Sequence, residues 1–210
     1  MLRDLRVQWD RGLTELVDIL EREFLAEGVL VSSRVKNLGT LREKLQRLSG
    51  GLSSVRDIIG CRLVVEGSRD AQAEVVQRLL EIYADNHPRV ISRVADPRAG
   101  YRAVHVEIRL AEARAEIQVR TRVQHEWANS MERFGDRVGR GVRYDDDSFA
   151  HLPSEIGGRA RECLVALNEW SEAIDLWERS GSPPDGERLE SMRAAEMRCK
   201  SLLEEFNESL

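Results

Sequence analysis

Residues Arg102 to Arg120 read RAVHVEIRLAEARAEIQVR, and apolar residues alternate with polar ones through two neighbouring runs. A period of two residues is typical of a β-strand, and two such runs predict a hairpin that packs one face on a core. The segment between the runs, Ala111-Glu112-Ala113, has no Gly or Asn to favour a tight turn, so the prediction depends on the alternation. The buried positions would be Val104, Val106, Ile108 and Leu110 in the first strand and Ala115, Ile117 and Val119 in the second.

The other face of the predicted hairpin carries Glu116 and Gln118, two residues apart. That separation is about 7 Å along a strand. A rigid strand that holds a carboxylate and an amide over a cleft would support catalysis, whereas the same residues on a solvated face would have no such role. The alternation alone leaves both interpretations open. Glu107 lies on the same face and is expected to be exposed.

Composition and charge are typical of a soluble, helix-rich globular protein: 41% of the 210 residues are hydrophobic and 33% are charged. The formal net charge of -5 at pH 7 gives no overall basic field for non-specific binding of nucleic acid. The N-terminal segment is charged throughout and no apolar run approaches membrane length, so neither a signal peptide nor a membrane helix is expected. Cys61, Cys163 and Cys199 lie far apart and outside any metal-binding spacing, which predicts reduced thiols in a cytoplasmic protein.

Helical and extended patterns alternate along the rest of the chain and predict a mixed α/β sheet flanked by helices. The Gly-rich segment after residue 134 is expected to be a loop. Helices are expected at about residues 3–27, 40–48, 69–83 and 121–134, and strands at residues 58–65, 88–94 and in the hairpin.

Two further helices are expected in the C-terminal part of the chain, with apolar residues at a repeating four-three spacing. Paired stripes of this kind predict an antiparallel helix pair packed on the domain. Exposed Trp170 and Trp177 on the first stripe would instead mark a subunit interface. We therefore expect one domain over residues 1–145 and a helical extension over residues 146–210 that serves packing or oligomerisation.

Three basic residues are notable for their positions. Lys36 and Lys44 are two of the chain's three lysines, and the compact charge of lysine suits phosphate oxygens, although a solvated helix face would explain both equally well. Arg62 lies inside an apolar run that follows Asp57. A charged residue in such a run is either paired in the core or turned toward a ligand.

Four motifs resemble, in their order along the chain, those of the RelA/SpoT-type synthetase domain. RVKNLGTLREKL and RDIIGCRLVV are similar to RIKSxxSxxxKL and DIAGxRIIV, while GYRAVH and AEIQVRT are similar to GYRSLH or GYQSLH and to VEIQIRT. The motifs lie between Arg34 and Thr121, and the chain resembles the small alarmone synthetases of that family. The resemblance implies an α/β (α+β) fold, with a nucleotidyltransferase-like mixed β-sheet flanked by helices. It also implies transfer of pyrophosphate from ATP to the 3′-hydroxyl of GDP or GTP, giving (p)ppGpp and AMP.

The resemblance assigns roles on the ATP side of the reaction. Asp57 and Glu116 would bind Mg²⁺, and Glu116 would also take the proton from the attacking hydroxyl. The ATP-binding residues would be Arg34 and Arg62, on either side of the adenine, with Lys36 and Lys44 at the phosphates.

On the acceptor side this chain departs from the family pattern. Tyr101 would stack on the guanine, and His105 and Gln118 would add polar contacts. The family commonly has an Asn before the Gly-Tyr pair, where this chain has Ala99, and a Ser where it has Ala103. Donor binding is therefore implied more directly than the identity of the acceptor.

Two alternatives remain open. A toxic relative would use an adenosine nucleotide or the 3′ end of tRNA, and the Arg-rich segment 133–143 would either bind such an end or form a solvated loop. A degenerate domain would bind nucleotides or a partner without catalysis; the altered acceptor loop favours it, whereas Asp57 and Glu116 argue against it.

Small synthetases of the family are often tetramers built through terminal helices. The resemblance therefore implies a homotetramer or dimer, with Trp170 and Trp177 as its candidate interface.

Overall fold

The computed structural model describes residues 2–35, 55, 58–111, 113–143, 149, 151–179 and 186–208. The predicted helix at 40–48 and three predicted site residues, Lys36, Lys44 and Asp57, lie outside this part. The α-helices described are α1 (Leu2–Phe24), α2 (Arg69–Ile82), α3 (Arg122–Val138), α4 (Ser154–Glu178) and α5 (Gly186–Glu208). The strands are β1 (Leu30–Val35), β2 (Ile59–Val65), β3 (Arg89–Ser92), β4 (Val104–Arg109) and β5 (Arg114–Thr121).

In the described residues, five strands form one mixed sheet in the order β1-β2-β5-β4-β3. The predicted hairpin is confirmed as β4 and β5, which pair antiparallel, and the amide of Leu110 donates to the carbonyl oxygen of Ala113 at 2.9 Å across the turn. Strand β2 runs parallel to β5 and antiparallel to β1. The predicted α/β (α+β) fold, a mixed sheet with helices, is therefore confirmed.

By their contacts the residues form two compact units, each described by itself below. The first unit combines Met1–Ser92 with Ala103–Thr121, and the second combines Arg93–Arg102 with Arg122–Leu210. The division of roles predicted at residue 145 stays a prediction.

In the first unit, one face of the sheet packs against α1 and α2 and forms a single apolar core. Helix α2 begins after Ser68, whose hydroxyl accepts a hydrogen bond from the amide of Asp70 at 3.2 Å and so caps the helix. Because strand side chains alternate, the opposite face carries the polar residues of the strands. The core includes Leu16, Leu20, Phe24, Ile59, Cys61, Leu63, Val75, Leu79, Val106, Ile117 and Val119.

In the second unit, α3, α4 and α5 enclose a separate core. Helix α3 continues to Val138 and is followed by a 3-10 turn at Arg140–Arg143, so the expectation of a loop directly after residue 134 is wrong. The reason is that Val138 and Val142 are buried and extend the apolar stripe of the helix. The core includes Trp127, Met131, Phe134, Leu167, Trp170, Ile174, Cys199 and Phe206.

The predicted C-terminal helix pair is confirmed as α4 and α5, and its tryptophans face inward. Trp170 is fully buried, and Trp177 is partly buried against the same core. Trp170 is therefore not the exposed residue that the candidate interface requires, because the apolar stripe of α4 is covered by other helices of its own unit; the interface at Trp177 stays a prediction. All three cysteines are free and buried. Among the described residues, no helix combines the length and apolar character that crossing a bilayer requires.

Candidate active site

The polar face of the sheet in the first unit brings four predicted site residues onto neighbouring strands. The register places Gln118 of β5 opposite His105 of β4 and, on its other side, opposite Arg62 of β2. Glu116 lies two residues before Gln118 and shares its face. Side chains directly opposite each other in a sheet are close enough to interact, so Glu116 and Gln118, placed on one face by the alternation, lie in one row with His105 and Arg62, which the motif resemblance added.

Both oxygens of the Glu116 carboxylate accept hydrogen bonds from this row. Nδ1 of His105 lies 2.9 Å from Oε1, and Nε2 of Gln118 donates to Oε2 at 2.8 Å. An ionised carboxylate only accepts, so the contact with His105 places the ring proton on Nδ1. The Glu116 side chain is 18% exposed, which leaves it reachable from one side while its orientation is fixed.

Arg120 extends the row and fixes the orientation of the Gln118 amide. Its Nη2 donates to Oε1 of Gln118 at 2.9 Å, and the arginine itself is 2% exposed. Because a guanidinium only donates, the amide oxygen must face Arg120 and the amide nitrogen must face Glu116. The sequence placed Arg120 on the polar face of β5 but gave no sign that it was buried.

Arg34 and Arg62 lie on the same face of the sheet, on the adjacent strands β1 and β2. The register places Arg34 opposite Gly60, so Arg34 and Arg62 are diagonal neighbours. Such neighbours are about 7–8 Å apart. The backbone therefore leaves a gap of about that width between the two positions. Gly60 has no side chain to fill it, and the closest approach to a Cβ placed there would be the Arg34 backbone oxygen at 3.6 Å.

Glu107 differs from its prediction. Its side chain is 13% exposed, not freely solvated, and it lies directly opposite Glu116 across β4 and β5. Arg89 on the edge strand reaches its carboxylate at 3.9 Å. Two carboxylates directly opposite each other repel, which makes Glu107 part of the electrostatic surroundings of Glu116.

Tyr101 lies in the second unit, at the end of a tight turn. Its amide donates to the carbonyl oxygen of Arg98 at 2.9 Å, and the two central residues, Ala99 and Gly100, have φ angles of 46° and 78°. Positive φ at both central positions defines a type I′ turn, in which Asn and Gly are strongly favoured. The turn therefore gives a physical reason for Asn at the position that Ala99 occupies here. Tyr101 is partly buried against the core of this unit.

The metal prediction can be tested on Glu116 but not on Asp57, which lies outside the described residues. Glu116 is a partly exposed carboxylate, and carboxylate oxygens are the ligands that a hard cation such as Mg²⁺ prefers. No group of three His, Cys, Asp or Glu side chains in the described part of the chain could hold a metal ion. That is compatible with Mg²⁺, which is usually bound through one or two carboxylates together with substrate phosphates.

Known proteins resemble this chain in sequence and in fold. Residues 33–133 match the family described as the region found in RelA/SpoT proteins. The chain is 38% identical over 173 residues to an uncharacterized protein of Mycobacterium tuberculosis, covering 81% of this chain and 63% of the relative. It thus spans less than two thirds of the length of the curated relatives that it matches at this level.

Two solved structures from Bacillus subtilis share the fold. The small alarmone synthetase 2 has a TM-score of 0.60 at 22% identity, covering 83% of this chain and 93% of that one. The small alarmone synthetase 1, bound to its product pppGpp, has a TM-score of 0.60 at 19% identity, covering 83% and 95%. The fold is therefore that of the small alarmone synthetases. The resemblance seen in the motifs is confirmed, because residues 33–133 match the RelA/SpoT region.

Proposed function

We propose that the protein transfers pyrophosphate from ATP to the 3′-hydroxyl of GDP or GTP, making (p)ppGpp and AMP. The observation that supports this function is the fixed carboxylate of Glu116, held by His105 and Gln118 on a strand inside the RelA/SpoT-type domain. Two relatives of the same fold are alarmone synthetases by name, and one of them was solved with pppGpp bound.

In this proposal, Glu116 is the general base. The 3′-oxygen of the acceptor attacks the β-phosphorus of ATP, the bond from that phosphorus to the oxygen shared with the α-phosphate breaks, and AMP leaves. The proton of the hydroxyl passes to a carboxylate oxygen of Glu116. Gln118 and His105 hold the carboxylate in place, so little reorganisation accompanies the transfer.

The donor nucleotide is bound through charge and stacking. Arg34 and Arg62 stack on the two sides of the adenine, as their diagonal placement allows, and Lys36 and Lys44 bind the phosphates. Bound Mg²⁺, held by Glu116 and Asp57, would supply neutralisation of the triphosphate charge.

We assign acceptor binding to three residues. Tyr101 stacks on the guanine, while His105 and Gln118 offer polar atoms beside Glu116.

Homo-oligomerisation and a cytoplasmic location belong to the same proposal. Light scattering of the purified protein tests the oligomeric state.

One end-point assay tests the function and its alternatives together. The protein receives ATP labelled in the β-phosphate, with GDP, GTP, ADP or bulk tRNA in parallel, and the label and AMP are followed. We expect labelled (p)ppGpp and equal AMP with GDP or GTP. Label on ADP or tRNA would show the toxic relative instead, and no transfer to any acceptor, with nucleotide still bound, would show a domain without catalysis.

A further inference from the structure

Arg102 attaches the segment before β4 to helix α4 within the second unit. The arginine is 6% exposed, and its Nε donates to both the carbonyl oxygen and the hydroxyl of Ser171 at 3.2 Å. Its Nη1 donates to Oδ1 of Asp175 at 3.0 Å, so a buried cation meets a carboxylate one helical turn further along.

The same contacts hold both ends of the segment. Nη1 of Arg102 also donates to the carbonyl oxygen of Val94, at the start of the segment. The hydroxyl of Ser171 donates to the carbonyl oxygen of Gly100 at 2.6 Å, inside the turn that ends at Tyr101. Arg102 thus links residue 94 to Ser171 and Asp175 of α4, and Ser171 links residue 100 to the same helix directly.

Steric fit at Gly100 shows how closely the turn lies on the helices. A Cβ placed at Gly100 would come within 2.7 Å of Cζ2 of Trp127 and within 3.3 Å of Oδ1 of Asn168. No side chain fits there, and the φ angle of 78° is one that glycine adopts without strain. The turn is therefore held both by close packing and by hydrogen bonds.

Stability alone gives no reason for a charged pair in this place. Taking a guanidinium and a carboxylate out of water is costly, and apolar residues of similar volume often stabilise a core as well or better. The pair differs from an apolar contact because Arg102 also donates to the carbonyl oxygen of Val94 and to Ser171, whose hydroxyl in turn donates to that of Gly100, next to Tyr101.

We infer that Ser171 and Asp175 are positioning residues for the acceptor: Ser171 directly at Gly100, and both through Arg102, hold the turn that presents Tyr101 to the guanine ring. The inference rests on the proposed function. It gives α4, which lies beyond the matched residues 33–133, a part in acceptor binding that none of the sequence motifs indicates.

Two variants and one matched control test the inference. Asp175→Asn removes the charge that meets Arg102, and Ser171→Ala removes the bond to Gly100 while leaving the ion pair. Arg179→Gln is the control, because Arg179 binds the other oxygen of Asp175 at 3.0 Å from an exposed position and does not contact the turn. Calorimetry measures the Kd of each protein for GDP and for a non-hydrolysable ATP analogue.

We expect Asp175→Asn and Ser171→Ala to weaken GDP binding by roughly tenfold, the loss typical of a buried hydrogen bond of this kind. Binding of the ATP analogue should stay as in the wild type, a split that general destabilisation would not produce. Hydrogen exchange at the Tyr101 amide should accelerate in both variants and not in Arg179→Gln. If Asp175→Asn does not fold, Ser171→Ala decides.

The binding results that contradict these expectations lead to different conclusions. Unchanged GDP binding in Ser171→Ala and Asp175→Asn would overturn the inference while the proposed function stands. Equal weakening of GDP and of the ATP analogue would also overturn it, because the role would then be structural. A wild-type protein that binds the ATP analogue but no GDP would overturn the guanosine acceptor itself and the positioning role with it.

Discussion

At the scale of single residues, the two hydrogen bonds at Glu116 determine what a substitution there does. Glu116→Gln keeps the size of the side chain but replaces one accepting oxygen by a donating nitrogen, which then faces the donor of His105 or of Gln118. We expect the loss of the base to lower kcat by roughly 10²–10⁴. Initial rates of AMP release at saturating ATP and GDP measure the effect.

Two further variants show whether the effect is specific to Glu116. Asp57→Asn should act mainly through Mg²⁺, so part of its loss should return at high metal concentration, whereas Glu116→Gln should stay slow. Glu74→Gln, the same change on the exposed face of α2, should leave the rate unchanged. Glu107 does not serve as a neutral control, because it lies opposite Glu116 and is largely buried. Wild-type turnover by Glu116→Gln would mean that the polar face is only a solvated surface.

Ala99 offers a stability prediction at the same scale. Its φ angle of 46° costs an alanine about 1–2 kcal/mol, because Cβ approaches the neighbouring carbonyl oxygen. Asn adopts this region more readily, so Ala99→Asn should raise the free energy of unfolding by about 0.5–1 kcal/mol. Urea titrations followed by circular dichroism measure the difference.

In the control, the same substitution should change the free energy of unfolding in the opposite direction. Ala194 is exposed in the middle of α5, where Asn is a poorer helix former than Ala, so Ala194→Asn should lower the free energy of unfolding by several tenths of a kcal/mol. If Ala99→Asn destabilised the protein as well, the left-handed turn would not be the conformation of residues 98–101 in solution.

At the scale of elements, the sequence predicted the features that depend on residues close together along the chain. The alternation through β4 and β5 predicted the hairpin, and period-two spacing placed Glu116 and Gln118 on one face. The contacts of Arg102 could not be predicted, because Ser171 and Asp175 are about seventy residues away and no periodicity links them. Burial of Trp170 was equally undetermined, since an apolar stripe looks the same whether its own chain or another copy covers it.

The turn ending at Tyr101 permits a matched comparison of two glycines. Gly28 and Gly100 share a φ angle of 78°, but a Cβ at Gly28 would meet nothing within 4 Å. Gly28→Ala should therefore cost about 1 kcal/mol, from backbone strain alone. Gly100→Ala carries the same strain plus the clash with Trp127, worth about 1–3 kcal/mol more. Equal urea midpoints for the two variants would show that the turn moves away from Trp127 at little cost.

At the scale of the whole molecule, the three thiols report on both compact units. Burial raises the pKa of Cys61 to about 12 in the first unit, and raises those of Cys163 and Cys199 to about 11 and about 12 in the second. An unfolded thiol has a pKa of about 8.5, and only the thiolate reacts. We therefore expect iodoacetamide at pH 8.5 to label none of the three in the native protein and all three in urea, as read from the intact mass.

The pH dependence of stability has a definite sign for the same reason. Between about pH 8.5 and the native pKa, each unfolded thiol loses its proton while the native thiol keeps it. The unfolded state then binds fewer protons, and the free energy of unfolding falls by up to about 1.4 kcal/mol per pH unit for each thiol. Cys61→Ala should reduce this slope between pH 8.5 and 10 whatever it does to the stability at pH 7. Rapid labelling of Cys61 in native buffer, or a slope unchanged in Cys61→Ala, would show that the sheet core opens to solvent without unfolding.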